Sequence, residues 1–260
     1  MKAIKELGQH FLTDPAIASA IAELGEISAG DRVWEVGPGP GILSAELIRR
    51  GAKLEAFELD KRMADILKSR FGDAIDLTLI DILRLNWKEQ ISHGLFPLKI
   101  IANIPYQITS PLLYKIQEHN EDFNLVVLMV QKEVAQRLSA SPGSKDFGPL
   151  TIKLGLAYCI HTEFMVGREF FDPVPKVDSA VIVMRRRTDT PVIKDSVLFS
   201  KLLTSAFAHR RKTLRNNLLA VFGKNGTEEL ENRSGINFGR RAETLSEKEF
   251  IHLADLATDL

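Results

Sequence analysis

The stretch "EVGPGPG", residues 35–41, places three glycines and two prolines directly after the apolar segment "RVWEV" (32–36). Prolines and glycines end regular structure, whereas the preceding segment has the β-branched and aromatic residues of a buried strand. Glycines between a strand and a helix allow backbone N–H groups to approach a ligand because no Cβ intervenes. The pattern predicts the first loop of a nucleotide-binding α/β sheet, in which ligands lie beyond the carboxyl ends of the strands.

The glycine spacing favours a ligand without phosphates. Gly37, Gly39 and Gly41 give the pattern G-x-G-x-G, whereas the dinucleotide pattern G-x-G-x-x-G requires glycine at position 42, which Ile42 occupies. Glu35 precedes the glycines, and a carboxylate there disfavours a pyrophosphate and favours a ligand with positive charge. A nicotinamide-dependent oxidoreductase is therefore disfavoured, also because the sequence shows no convincing hydride-transfer site.

Two further acids end the next predicted strands. Glu58 in "FELD" (57–60) lies about 20 residues beyond the glycines, where a carboxylate accepts hydrogen bonds from ribose hydroxyls. Asp81 in "LIDIL" (79–83) is either a turn residue or an acceptor for an adenine amino group, and Asp60 is expected to cap the next helix. A sugar, a base and positive charge without phosphates describe S-adenosylmethionine.

The fourth predicted strand runs into "NIPY" (103–106), which we interpret as the site of the methyl acceptor. An exocyclic base nitrogen is a poor nucleophile because its lone pair is delocalised into the ring. The Asn103 side-chain oxygen and the carbonyl of Ile104 or Pro105 can accept its two N–H bonds. Tyr106 can stack on an extruded base. In-line displacement at the methyl group then needs alignment and electrostatics but no strong base or metal.

The composition of the 260 residues predicts a soluble, cytoplasmic protein. Lys+Arg and Asp+Glu both number 34, so the formal net charge is zero and nucleic-acid binding would require clustered cations. Cys159 is the single cysteine and cannot form an internal disulfide, and no Cys/His spacing indicates a metal site. The start "MKAIKELGQHFL" lacks the apolar stretch of a signal peptide, and no segment is long enough for a membrane span.

Alternating strands and helices predict an α/β fold with a mostly parallel sheet in residues 1–187. After the loop "SASPGSKDFGP" (139–149), two strands are expected to add an antiparallel hairpin at the sheet edge, and residues 188–260 to form a small helical domain. The predicted strands are 32–36, 53–59, 75–80, 98–103, 124–130, 159–166 and 180–186. The predicted helices are 15–24, 42–50, 61–71, 111–119, 132–140, one beginning at residue 150, and those around 198–207, 213–222 and 247–257.

These motifs make the chain resemble the ribosomal RNA adenine N6-dimethyltransferases, specifically the bacterial small-subunit type linked to kasugamycin sensitivity. The resemblance covers nearly the whole chain: "GQHFL" (8–12), "EVGPGPG", "FELD", "NIPY", "QKEVAQRL" (131–138), "FFDPVPKVDSAV" (170–181) and "FAHRRKTLRNNL" (207–218). It implies a class I methyltransferase with a seven-stranded Rossmann-like core and a helical C-terminal domain. It also implies dimethylation of two adjacent adenines in a hairpin near the 3′ end of rRNA in the immature small ribosomal subunit.

On the family pattern, Asn103 contacts both the cofactor and the target base, and Tyr106 faces the base, with Pro105 beside them. The resemblance assigns Phe171, before a rigid Pro-x-Pro turn, to the other face of the base, whereas we expect Phe170 to pack at the sheet edge. The chain departs from the family at residue 10, where many relatives carry asparagine, although both side chains can donate a hydrogen bond. The predicted cofactor site comprises Gln9, His10, Leu12, Glu35, Gly37, Gly39, Glu58, Asp81 and Asn103.

Cations cluster despite the neutral total charge. The runs "RRR" (185–187) and "HRRKTLR" (209–215) contain no acid and can bind phosphates, although such runs are also typical of a solvated face. With the enzyme interpretation they become predicted rRNA contacts, and we expect the protein to act as a monomer. These predicted contacts are Arg185, Arg186, Arg187, Arg210, Arg211, Lys212 and Arg215.

Two alternatives remain open. A large-subunit rRNA methyltransferase of the antibiotic-resistance type shares the glycine turn and a similar catalytic loop, but the extended helical region with "FAHRRKTLRNNL" favours the small-subunit enzyme. A non-catalytic ribosome-assembly factor could use the same fold. The presence of Glu58, Asp81, Asn103 and Tyr106 argues against lost catalysis.

Overall fold

The computed structural model describes residues 4, 7–94 and 98–260, and its centre is a seven-stranded sheet. The strands are β1 Phe11–Leu12, β2 Arg32–Val36, β3 Lys53–Glu58, β4 Ile75–Leu79, β5 Leu98–Asn103, β6 Phe123–Gln131, β7 Tyr158–Val166, β8 Phe171–Asp172 and β9 Ser179–Arg186. The sheet has the order β4-β3-β2-β5-β6-β9-β7, while β1 and β8 pair separately as an antiparallel ribbon. The pairs from β4 to β6 are parallel, and β9 is antiparallel to β6 and β7. The predicted mostly parallel sheet with an antiparallel edge hairpin is therefore confirmed.

Helices connect the parallel strands, as the alternating pattern predicts. They are α1 Pro15–Leu24, α2 Ile42–Arg49, α3 Lys61–Phe71, α4 Trp87–Ser92, α5 Thr109–Glu118, α6 Lys132–Leu138, α7 Pro149–Ala157, α8 Ser196–Ala206, α9 Leu214–Ser234 and α10 Glu247–Ala257. The predicted N-cap of α3 is confirmed, because the Asp60 side chain accepts a hydrogen bond from the Arg62 N–H. No helix in the described part of the chain is both long and apolar enough to cross a membrane.

Two helices differ from the sequence prediction. The short α4 was not predicted; it has six residues and begins at the cap Asn86, so no periodic apolar pattern marks it. The predicted helix 213–222 extends to Ser234, with a non-helical residue at Gly223, where φ is 64°. Beyond this kink, the Thr227 hydroxyl donates to the Gly223 carbonyl over 2.6 Å.

The chain forms two compact units, each with its own apolar core. The first comprises residues 1–135 and 158–186, and the second comprises residues 136–157 and 187–260. The predicted domains were 1–187 and 188–260, so the structure differs by grouping 136–157 with the helical unit. The reason is that Phe147 and Ile152 are buried in the same apolar cluster as side chains of α8, α9 and α10.

Polar side chains inside the sheet are paired. The Arg32 guanidinium forms an ion pair with Glu55 on the neighbouring strand and donates to the Ile91 carbonyl over 2.8 Å. Lys99 is 5% exposed and pairs with Asp31, with 2.8 Å between Nζ and Oδ2. These charges are tolerated in the sheet because each has a hydrogen-bonded partner of opposite sign.

Candidate active site at the carboxyl edge of the sheet

A cavity of about 230 Å³ lies where β2, β3, β4 and β5 end. Parallel strands place their carboxyl ends at one edge, so residues far apart in sequence meet there. Segment 7–12 and Phe171 complete the wall. The cavity lining includes every residue predicted for the cofactor and the base: Gln9, His10, Leu12, Glu35, Gly37, Gly39, Glu58, Asp81, Asn103, Pro105, Tyr106 and Phe171.

The glycine turn is shaped by contacts with the protein itself. Gly41, the N-cap of α2, has φ 85°, and a Cβ there would lie 2.6 Å from Phe71 and 2.8 Å from Leu67. Gly37 has φ 65°, and its Cβ would lie 3.1 Å from the Pro105 ring. The glycines thus let α3 and the loop after β5 approach the turn, so their small size serves packing within the protein as well as access for a ligand.

Glu35 is a buried carboxyl without a cationic partner among the described residues. It is 1% exposed, and the Ser44 hydroxyl on α2 donates to its Oε2 over 2.6 Å. Burial raises the pKa of Glu35 to about 8; the Ser44 hydrogen bond opposes this rise, and the nearby Glu58 adds to it. At neutral pH the Glu35 carboxyl is therefore mostly protonated.

Glu58 is held at the end of β3 by backbone amides. Its Oε1 accepts from the N–H groups of Leu59 and Asp60 over 2.9 and 2.8 Å, and its Oε2 accepts from Gly39 over 3.1 Å. Burial raises the pKa of Glu58, and these three hydrogen bonds oppose the rise. The carboxylate lies in the cavity wall with lone pairs left for further donors, as a ribose acceptor requires.

Gln9 joins the first segment to the end of β3. Its Nε2 donates to Asp60 Oδ2 over 2.9 Å. The Arg62 guanidinium lowers the pKa of Asp60 to about 2, so this acceptor stays ionised. Gln9 therefore acts in the structure as a link that fixes segment 7–12 against the cavity.

Asp81 serves as a turn residue and also lines the cavity. Its Oδ1 accepts from the Leu83 N–H over 2.9 Å, and Oδ2 lies 3.7 Å from Arg84 Nε. Apolar neighbours of the two strand-end acids also line the cavity: Leu59, which is 52% exposed, and the buried Ile82. The sequence prediction missed both, although an apolar residue directly after each acid was a usable signal.

The loop after β5 presents Asn103 and Tyr106 to the cavity. The Asn103 side chain makes no hydrogen bond with any residue that the structure describes, so its amide is available to a ligand. The Pro105 carbonyl already accepts the Ile108 N–H over 3.1 Å. The Tyr106 hydroxyl lies 2.7 Å from the Ser179 hydroxyl, and burial raises the Tyr106 pKa.

The β1–β8 ribbon brings His10 and Phe171 to the same cavity. His10 Nδ1 lies 2.6 Å from the Pro173 carbonyl, so that nitrogen carries the proton, and its ring is stacked near Tyr106 with centroids 5.7 Å apart. Phe171 is 2% exposed and belongs to the apolar core, while Phe170 is partly buried against it. Phe171 thus borders the cavity, but most of its ring is packed in the core.

The arginines of "RRR" have protein partners. Arg185 pairs with Glu26 over 2.9 Å, and Arg186 donates to a backbone carbonyl. Arg187 makes a two-point contact with Asp189, at 3.0 and 2.8 Å. Phosphate binding by these three would compete with the existing contacts.

The second basic run divides into engaged and open cations. Arg210 donates to two carbonyls of the 144–148 loop, one of them that of Phe147 at 2.7 Å. Arg215 forms an ion pair with Glu231 of the same helix. Arg211 and Lys212 are exposed, and their side chains have no hydrogen bond or ion pair with other described residues. In the part of the chain that the structure describes, no group of three or more potential ligands has metal-binding geometry.

Comparison with known proteins identifies what the chain is similar to. The family model described as ribosomal RNA adenine dimethylase matches residues 1–259. A protein named ribosomal RNA small subunit methyltransferase A from Lactobacillus helveticus is 39% identical, with 98% of this chain and 91% of the relative covered. The protein of the same name from Geobacter sulfurreducens is 40% identical, with 97% and 94% covered.

Solved structures share the fold. A dimethyladenosine transferase from Plasmodium falciparum superposes with a TM-score of 0.75 at 27% identity, covering 94% of this chain and 96% of that one. The 23S rRNA methyltransferase ErmE superposes with a TM-score of 0.71, covering 96% and 100%; at 24% identity it supports the fold alone.

Proposed function

The chain belongs to the ribosomal RNA adenine dimethylase family and is an S-adenosylmethionine-dependent rRNA methyltransferase, and we propose that its substrate is small-subunit rRNA. The reaction is dimethylation of N6 on two adjacent adenines in a hairpin loop near the 3′ end, within the immature small ribosomal subunit. The full-length similarity to relatives named small subunit methyltransferase A supports this substrate over a large-subunit one.

The observation that carries the proposal is one cavity bordered by Glu58, Asp81 and Asn103 at the carboxyl ends of β3, β4 and β5. Its residues suit S-adenosylmethionine. The buried Glu35 has no cationic partner among the described residues, which fits a ligand with positive charge, and Glu58 and Asp81 retain acceptor lone pairs for hydroxyl and amino donors. When bound, S-adenosylmethionine supplies the methyl group.

We propose that Asn103 binds the amino group of the target adenine. Its side-chain oxygen accepts one N–H bond, and the carbonyl of Ile104 or Pro105 accepts the other; the Pro105 carbonyl has one lone pair left beside its bond from Ile108. Two acceptors favour pyramidal nitrogen and direct its lone pair at the methyl carbon. Tyr106 covers one face of the base, and Phe171 covers the other where it borders the cavity.

Catalysis in this arrangement depends on alignment. No residue needs to remove a proton before the methyl group moves, because the adenine nitrogen attacks with its own lone pair. Pro105 fixes the loop that carries Asn103 and Tyr106. Gln9, His10 and Leu12 form the wall beside the cofactor, and Gly37 and Gly39 provide backbone there.

Contact with rRNA phosphates is proposed for the exposed cations Arg211 and Lys212 first, because their side chains have no hydrogen-bond or ion-pair partner among the described residues. Arg185, Arg186, Arg187, Arg210 and Arg215 would join them by exchanging internal partners for phosphates. We also propose that the protein acts in the cytoplasm, as a monomer and without a metal ion, since in-line methyl transfer requires none.

The test is transfer of labelled methyl groups to small subunits that lack the modification, followed by mapping of the modified nucleosides. We expect two adjacent N6,N6-dimethyladenosines in the 3′-terminal hairpin. Large-subunit rRNA, offered in parallel, should remain unlabelled. Label in the large subunit alone would show a methyltransferase of the antibiotic-resistance type instead. Binding to small subunits without methyl transfer to either subunit would favour a ribosome-assembly factor.

A further inference from the structure

Ser179 contacts the catalytic loop although neither the motifs nor the family pattern assigned it a role. It is the first residue of β9 and is 0% exposed. Its hydroxyl lies 2.7 Å from that of Tyr106, and neither hydroxyl has a second hydrogen bond with a described residue. Such a pair is kept together because separating it would leave the fully buried Ser179 hydroxyl without a hydrogen bond.

The Ser179 side of this bond is rigid. The residue is paired with Gln131 on β6 and with Val166 on β7, so strands flank it on both sides. The preceding residue, Asp178, accepts the Lys132 N–H through its carbonyl over 3.0 Å. The start of β9 is therefore fixed by the sheet and by the turn before it.

The Tyr106 side of the bond is less constrained. The residue begins a single turn of 3-10 helix, Tyr106–Ile108, and its side chain is half-buried. Rotation of a tyrosine ring about its second side-chain torsion has a broad energy minimum, so packing on one side does not define the ring plane. A hydrogen bond made by the hydroxyl at the far end of the ring restricts that rotation and defines the ring plane.

We propose that Ser179 is a positioning residue for Tyr106: through the hydroxyl contact it fixes the ring plane on which the target adenine stacks. The inference rests on the proposed function, since the base is the group being aligned. Because burial raises the Tyr106 pKa, its hydroxyl remains protonated at neutral pH and acts as a tether instead of a base. No bond to the substrate forms or breaks at Ser179.

The experiment compares Ser179→Ala, Tyr106→Phe and the double variant in methylation of unmodified small subunits. We expect each single variant to lower kcat about tenfold, because one hydrogen bond is lost and the base is misaligned. The double variant should be no slower than the singles, since both remove the same contact. KM for the subunit and the calorimetric Kd for S-adenosylmethionine should change by less than about twofold.

Two controls separate positioning from folding. Ser179→Thr keeps the hydroxyl and should retain most of kcat. Tyr158→Phe removes the hydroxyl of another buried tyrosine, which lies 3.2 and 3.3 Å from the carbonyls of Asn120 and Phe123, outside the cavity, and should leave kcat unchanged.

Full kcat in Ser179→Ala, or losses that multiply in the double variant, would overturn the positioning role while leaving the proposed function intact. A rise in KM with kcat preserved would also overturn it. If the unaltered protein bound no S-adenosylmethionine, or methylated no subunit, the proposed function and this inference would both fail.

Discussion

Replacing Glu35 by glutamine should change how the stability of the protein depends on pH. Glutamine keeps an oxygen that can accept the Ser44 hydroxyl, 2.6 Å away in the native site, but it cannot ionise. It therefore imitates the protonated carboxyl that burial favours. The charged group that faces Glu35 across the strands is Glu58, which remains present in the variant.

The magnitude follows from the pKa. Burial raises the pKa of Glu35 from 4.5 to about 8, and this difference corresponds to about 5 kcal/mol. The folded protein binds the proton more tightly than the unfolded chain does. The stability that proton binding at Glu35 contributes is therefore complete below about pH 4.5. It is lost as the pH rises to about 8, at about 1.4 kcal/mol per pH unit.

The assay is denaturant-induced unfolding at pH 5, 6, 7 and 8, followed by circular dichroism. The free energy of unfolding of Glu35→Gln, relative to the unaltered protein, should rise by about 3.5 kcal/mol across that range. Glu228→Gln, at an exposed position on α9, serves as the control and should follow the unaltered protein. Parallel curves for Glu35→Gln and the unaltered protein would mean that Glu35 is ionised throughout and would refute the reasoning.

Three further substitutions test separate parts of the structure. Asn103→Ala should lower methyl transfer by about 10²-fold or more with RNA binding retained in a filter assay, and unchanged turnover would remove this residue from the mechanism. The double variant Arg211→Ala/Lys212→Ala should weaken subunit binding and reduce the slope of log K against log salt by about 1.5 to 2, whereas an unaltered slope would make both bystanders. Gly41→Ala should cost about 2–5 kcal/mol, from backbone strain at φ 85° plus a Cβ 2.6 Å from a ring carbon. Gly30→Ala, at φ 89° with its nearest atom 4.0 Å away, should cost about 1–2 kcal/mol, and equal losses would show that packing contributes nothing at residue 41.

The parallel sheet could be predicted from the sequence because its strands are short segments rich in apolar residues that alternate with helical patterns. β2 and β5 have the predicted ends, since turn-forming residues or charges bound both runs. The β1–β8 ribbon could not be predicted in this way. Its two-residue strands pair segments that lie far apart in the sequence. Next to them the Thr13 hydroxyl donates to the carbonyl of Phe170, 157 residues later, and no local pattern indicates such a contact.

The positions of the candidate site were predictable, but its hydrogen bonds were not. Strand-end acids and the loop after β5 must share an edge in any parallel sheet, which is why Glu58 and Asn103 line one cavity. The partners Ser44 and Ser179 have no distinctive motif. A serine hydroxyl is small and common, and only the packing of α2 and β9 determines which carboxyl or phenol it reaches.

Fewer cations are available to bind RNA than the basic runs in the sequence suggest, because several of them have partners within the protein. Several arginines of these runs have an acid or a carbonyl within reach, as Arg187 and Arg215 show by pairing with Asp189 and Glu231. An arginine with such partners must give up short, directional contacts before it binds a phosphate, whereas an exposed lysine gives up only water. The affinity of the "HRRKTLR" run should therefore come mainly from the two residues at 211 and 212, and its neighbours should contribute to shape more than to charge.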